Sequence, residues 1–183
     1  MNLETLEYPP LTEDIEEAKN HLDKYGMALI ANVLSGDEID EMDQRLNEQF
    51  LGEEKYKVGS KVRGDEGLGV ESSEEEKVSR LVWNLINKGD CFLKLIDHPK
   101  ILPLIQHLIG EKVCLCSMGA HMNGSGNEKM ALHQDQWPLV PHPMDFPFMA
   151  NVMYLISDNS PENGGTRLIP GSHKWPLVDY RTA

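Results

Sequence analysis

Apolar side chains recur at helical spacing twice near the start of the chain. After the Pro9-Pro10 break, Thr12 has the chemistry of an N-cap. Ile15, Ala18 and Leu22 then share one face until Tyr25-Gly26, which predicts a helix over residues 13–24. The run GMALIANVL (26–34) is short, apolar and rich in strand formers, so it reads as a strand. Ser35 and Glu38 have the spacing of a capping box, and Ile39, Met42, Leu46 and Phe50 line one face of the helix it opens.

From Gly52 to Lys77 the pattern turns polar and glycine-rich, with the run Glu74-Glu75-Glu76. Residues 52–77 therefore read as a long mobile loop, either a solvated connector or a lid over a site. Val78, Leu81, Val82 and Leu85 return to helical period, and HPKILPLIQHLIG (98–110) predicts a helix with Pro99 near its start and Gly110 as its stop. His107, on that helix, reads as a packed or surface residue.

Beyond Lys112 the period changes to that of strands. KVCLCSMGAHM, KMALHQD, ANVMYLIS and TRLIPGS are short apolar runs separated by the turn-formers NGSGNE (123–128) and SPENGG (160–165). A helical first half thus leads into an antiparallel β structure, an α+β arrangement in one domain spanning 1–183. Four or five strands are few for a closed barrel or a double-sheet jelly roll.

Composition narrows the function. With 17 basic against 30 acidic residues the net charge is −13, which argues against a nucleic-acid or anionic-membrane partner. No basic-then-apolar leader and no apolar stretch of about 20 residues is present, so a cytoplasmic protein is the expectation. Cys91, Cys114 and Cys116 are odd in number and read as buried, reduced thiols rather than a disulfide or metal set.

The chemistry concentrates in MALHQDQWP (130–138). On a strand, His133 and Asp135 would share a face about 6 to 7 Å apart while Gln134 points away. An imidazole and a carboxylate are two of the three ligands in the facial arrangement of non-haem Fe(II) oxygenases, which leaves positions open for cosubstrate and oxygen. Alone, an H-x-D tripeptide in a chain with seven histidines carries little weight.

Its context is what gives it weight. LHQDQWP is followed by DNSPENGGTRLIPGSHKW (158–175), and GEKVCLCSMG follows the DHPKILPLIQHLIG helix. Together these segments resemble the phytanoyl-CoA dioxygenase family of Fe(II)- and 2-oxoglutarate-dependent oxygenases, strongly over 98–175 and loosely over 12–50. The resemblance implies a double-stranded β-helix of the jelly-roll, cupin-like class, braced by N-terminal helices. It also implies Fe(II) held by His133 and Asp135, 2-oxoglutarate as cosubstrate, and hydroxylation of a small organic substrate by dioxygen with release of succinate and CO2.

Two departures follow from the resemblance. The family's distal histidine ligand and the cation that pairs 2-oxoglutarate lie several strands past the P-G-S-H segment, whereas this sequence stops at Ala183. The expectation is a C-terminally incomplete copy lacking its last strands, with the third ligand beyond Ala183. Met153 also stands where many members carry a tryptophan near the cosubstrate, so a reshaped 2-oxoglutarate pocket at Met153 is expected, and Asn151, two residues back, reads as a polar cosubstrate contact or as a strand-edge asparagine satisfied by backbone.

Several other residues keep open readings. His173 in P-G-S-H is a direct ligand, an ordering residue behind the ligands, or an exposed turn residue. His142 reads as a substrate contact or loop packing, His121 as a cosubstrate contact or a solvent-facing strand residue. Arg167 reads as a partner for an acidic substrate group or as a surface ion-pair partner, and Trp137 and Trp175 as pocket walls or core.

Rival readings also remain. One is an inactive two-ligand jelly-roll module that binds a small molecule or a partner; another is a cupin-like metal lyase or isomerase. Substrate identity and oligomeric state are not legible.

Overall fold

The computed structural model describes residues 6–63, 67–68, 79–123, 133, 135 and 146–175. A short parallel pair, β1 (Leu11–Thr12) with β2 (Leu29–Ile30), brackets α1 (Ile15–Tyr25). Then come α2 (Gly36–Tyr56), strands β3 (Ser60–Arg63), β4 (Gly67–Leu68) and β5 (Ser79–Trp83), short α3 (Asp90–Leu93), α4 (Leu102–Ile109) and β6 (Gly119–Met122). The last four strands form one antiparallel sheet in the order β4-β3-β5-β6. The α+β class holds among the described residues, whose strands are few.

Local chemistry explains the helix boundaries. Asp14, not Thr12, caps α1, because its carboxylate accepts the Glu17 N–H at 2.9 Å. Thr12 is instead in β1, where its hydroxyl accepts the Asp14 N–H at 3.1 Å and donates to Glu17. The capping box of Ser35 and Glu38 opens α2 as its spacing predicts. Pro103, rather than Pro99, occupies the first turn of α4, and Gly110 ends it.

Three elements differ from the sequence pattern. The stretch read as a loop from Gly52 continues α2 to Tyr56 and then forms β3 and β4; 64–66 and 69–78 lie outside the described residues. That last stretch of α2 holds buried Glu53, which pairs with Lys88 and accepts from Gln49 at 2.9 Å. These anchors offset the roughly 1 kcal/mol that Gly52 costs a helix interior.

The segment read as a helix from Val78 is strand β5. Leu81 and Val82 are both buried, so the strand is covered on both faces, and a two-faced apolar run cannot be told from a helix by periodicity. Finally, 112–118, 150–157 and 166–170 have strand-like sequence but no assigned strand. Extended chain becomes a strand only when a neighbour accepts its ladder, and among the described residues none does so for them. In consequence Cys114 and Cys116 are exposed, contrary to the expectation, whereas Cys91 is buried and its thiol is pushed up by that burial.

The core lies between α2 and the sheet. Met42, Leu46 and Phe50 pack with Val82, Leu85, Cys91, Phe92 and Leu95, and Met118, Ala120, Tyr154 and Ile156 press on this cluster. Against α1 packs α4, which sends His107 Nε2 to Asp23 Oδ1 at 2.9 Å on the surface.

Candidate metal centre

Two anchored segments flank the H-x-D motif. The first is the end of β6. Its register pairs Leu81 with His121 and Val82 with Ala120, so Ala120 faces the helical core and His121 faces the other side of the sheet, beside buried Leu81. Surrounding protein disfavours charging the His121 imidazole and lowers its pKa, although its side chain keeps an exposed edge.

Just past β6, the Asn123 amide donates to the Gly164 carbonyl at 2.8 Å and so fastens the strand end to the SPENGG turn. That turn is closed locally. Asn163 accepts the Ser160 N–H at 2.7 Å and donates to the Asp158 carbonyl, and the Gly165 N–H reaches the Ser160 carbonyl at 2.8 Å. A Cβ on Gly165 would sit 2.4 Å from Asn159 Oδ1, so the close approach explains the glycine. Glu162 keeps a lowered carboxylate pKa because the Ser160 hydroxyl and its own N–H stabilise the anion.

The second anchored segment is 150–157. Tyr154 donates its hydroxyl to the Leu95 carbonyl at 2.8 Å, meets the His98 ring edge-on and packs on the core with Ile156. Burial pushes the Tyr154 phenol up to about 12. His98 is itself fixed, with Nε2 3.1 Å from the Val33 carbonyl and Nδ1 accepting the Lys100 N–H. Alternation along the segment then turns Asn151, Met153 and Leu155 to the exposed side.

Between these anchors stand His133 and Asp135. Asp135 lies in a turn rather than on a strand, yet the two side chains converge, with His133 Nε2 3.2 Å from Asp135 Oδ1. The side chains are 55% and 52% exposed, so the pair is open to solvent. Asn151 donates from Nδ2 to the other carboxylate oxygen, Asp135 Oδ2.

The donor set fits a divalent metal. Two ligand atoms about 2.1 Å from one ion at right angles are about 3.0 Å apart, close to the separation of this nitrogen and oxygen. Imidazole suits Zn, Cu, Fe and Ni alike, and an imidazole with a carboxylate is part of the donor set of non-haem Fe(II) sites. With a protonated imidazole the same separation is a charge-assisted hydrogen bond. Among the described residues no group of three His, Cys, Asp or Glu side chains is placed to hold one ion.

Of the residues singled out from sequence, the structure brings His133, Asp135 and Asn151 together. Met153 is two positions along from Asn151, 54% exposed. His173 stands elsewhere, at the C-terminal end of α1. Its Nε2 lies 3.3 Å from the Asp23 carbonyl, while the Gly171 N–H donates to the Tyr25 carbonyl at 2.7 Å. The P-G-S-H segment therefore straps the end of α1, supplying donors to carbonyls that a helix leaves unpaired. Arg167 is exposed, Trp175 half-buried, and Trp137 and His142 fall outside the described residues.

Sequence reading missed the anchors Tyr154, His98 and Asn123. The period-two alternation of Tyr154 and Ile156 was a usable signal for the first. Nothing local marks the other two, whose partners are 65 and 41 residues away.

Comparison with known proteins identifies the family. The profile of the family described as phytanoyl-CoA dioxygenase (PhyH) matches residues 22–182. "Dioxygenase af480" of Aspergillus fumigatus is 30% identical over 165 residues, covering 90% of this chain and 51% of that protein. "Probable alpha-ketoglutarate-dependent hypophosphite dioxygenase" of Stutzerimonas stutzeri is 27% identical over 91% of this chain and 56% of its own length. "Dioxygenase sphC" of A. fumigatus is 24% identical over 89% of the chain and 46% of its own length.

The chain thus spans about half the length of these curated relatives. No solved structure matches it significantly. No helix among the described residues is long and apolar enough to cross a membrane. The match of this family's profile over residues 22–182 makes this chain a member of the phytanoyl-CoA dioxygenase family.

Proposed function

We propose that the protein is an Fe(II)- and 2-oxoglutarate-dependent dioxygenase that hydroxylates a small organic substrate with release of succinate and CO2. The observation that carries this reading is the convergence of His133 Nε2 and Asp135 Oδ1 at 3.2 Å, a separation suited to neighbouring ligands of one octahedral ion. A relative named as alpha-ketoglutarate-dependent supports the choice of cosubstrate. The jelly-roll fold belongs to the same reading, with β3, β5 and β6 as part of one of its sheets.

His133 and Asp135 would hold Fe(II), which when bound supplies the oxygen-activating chemistry. The chain's own contribution is placement. The imidazole donates a neutral nitrogen and Asp135 a compact negative charge, which together favour a divalent cation while leaving it open toward solvent for cosubstrate and oxygen. Met153, exposed on the Asn151 side of its segment, would line the 2-oxoglutarate pocket with a flexible apolar side chain. His121, whose pKa its surroundings lower, faces away from the helical core and so offers a hydrogen-bonding group on the sheet face opposite it.

The test is succinate release from 2-oxoglutarate with Fe(II), on the 183-residue chain and on His133→Ala. Succinate that depends on His133 supports the oxygenase. Equal release from both proteins rejects catalysis by this chain and leaves a two-ligand binding module.

A further inference from the structure

The two oxygens of Asp135 have different partners. Oδ1 faces His133 Nε2 at 3.2 Å, and Oδ2 accepts from the Asn151 amide. Resting on the metal site of the preceding reading, we propose that Asn151 is a positioning residue that fixes Asp135 as a single-oxygen ligand aimed at the same point as His133.

The need for such a residue follows from the exposure of the pair. A carboxylate rotates over a broad, two-fold torsional well, and it can meet a cation through one oxygen or both. With the Asp135 side chain half in solvent, packing does little to choose among these states. A donor on Oδ2 removes the equivalence of the two oxygens and leaves Oδ1 beside the imidazole.

A carboxamide suits this task because it donates without adding charge. A lysine or arginine at the same place would bind the carboxylate more strongly, but would repel the incoming cation.

Asn151 can impose an orientation because its own segment is held. Three positions on, Tyr154 is bonded to the Leu95 carbonyl at 2.8 Å and packed on the core with Ile156. Rigidity thus passes from the helical core through Tyr154 to Asn151 and on to Asp135. Hydrogen-bond partners of metal ligands typically change metal affinity about 10- to 100-fold when removed. The expectation from sequence was a polar contact to the cosubstrate; the contact to Asp135 is the one the positioning role rests on.

The test uses the 183-residue chain and Co(II) alone, with dissociation constants read from paramagnetic shifts of the His133 ring protons, a signal that also follows weak binding. For His133→Ala, which lacks that ring, calorimetry supplies the constant. Asn151→Ala and the bulk-preserving Asn151→Leu should each weaken Co(II) binding about 10- to 100-fold with unchanged melting temperature. In an Asp135→Ala background, Asn151→Ala should cause no further loss, because the residue acts through Asp135.

Unchanged affinity in both Asn151 variants, while His133→Ala loses binding, overturns the inference and leaves the metal site standing. So does an equal loss in both backgrounds. Affinity undiminished in both His133→Ala and Asp135→Ala rejects the metal site and the inference together.

Discussion

Gly26 ends α1 in the left-handed region at φ 73° and ψ 8°, and Gly171 adopts nearly the same backbone at φ 79° and ψ −4°. Their surroundings differ. A Cβ on Gly26 would meet His173 Nδ1 at 2.4 Å and Cγ at 2.7 Å, whereas among the described residues nothing lies within 4 Å of one on Gly171. Gly171→Ala should therefore carry only the left-handed backbone penalty, about 1 kcal/mol. Gly26→Ala carries that penalty and also drives the imidazole away from the Asp23 carbonyl. A net hydrogen bond is worth about 1 kcal/mol, and repacking around an oversized side chain adds about 1–3 kcal/mol. The expected loss at Gly26 is about 3–5 kcal/mol, about 2–4 kcal/mol beyond Gly171→Ala.

Urea unfolding of both variants reads these losses directly, provided the slope with denaturant is unchanged. The decisive measurement repeats Gly26→Ala in a His173→Gly background. Glycine is chosen because the added Cβ would also lie 3.0 Å from His173 Cβ, a contact that alanine would keep. There the loss should fall to about 1 kcal/mol, the backbone penalty alone. Equal losses from Gly26→Ala and Gly171→Ala, or a Gly26→Ala loss that agrees within about 0.5 kcal/mol in the two backgrounds, would refute the claim that the P-G-S-H strap is seated on the end of α1.

Two further outcomes concern the supports of the site. Tyr154→Phe removes the hydroxyl from the Leu95 carbonyl and should cost about 1 kcal/mol at neutral pH. Because the phenol is raised to about 12 in the folded chain, its contribution is complete below its unfolded value of about 10 and is lost as pH rises toward about 12. Wild type should therefore lose more stability than Tyr154→Phe across that alkaline window; parallel curves would contradict the buried bond. His121 has its pKa lowered by burial, so its unfolded form binds the proton more readily, and stability is full above about 6.5 and declines as pH falls below it. Denaturant midpoints of His121→Gln should fall less steeply with acid than those of wild type, and identical slopes would show that the ring is not desolvated.

The sequence by itself determined those features whose cause is local. The capping box of Ser35 and Glu38, the apolar face of α2, the Gly26 and Gly110 stops and the SPENGG turn are all set by side chains within a few residues of the backbone they satisfy. The H-x-D pair stood out only through the segments around it, and the strand expected to bring its side chains together is, at Asp135, a turn. The identity of β5 was not legible, because Leu81 and Val82 are apolar in either conformation and only pairing with β3 and β6 selects the strand.

Partners at long separation decided the rest. Asn151 is an ordinary polar position until the fold brings it to Asp135, and Tyr154 is an ordinary aromatic until Leu95 accepts its hydroxyl. His173 shows the same effect in reverse. Its place in the P-G-S-H segment suggested work near His133 and Asp135, yet its contacts are with the carbonyls left unpaired at the end of α1, a hydrogen-bonding demand that exists only once that helix has formed and packed.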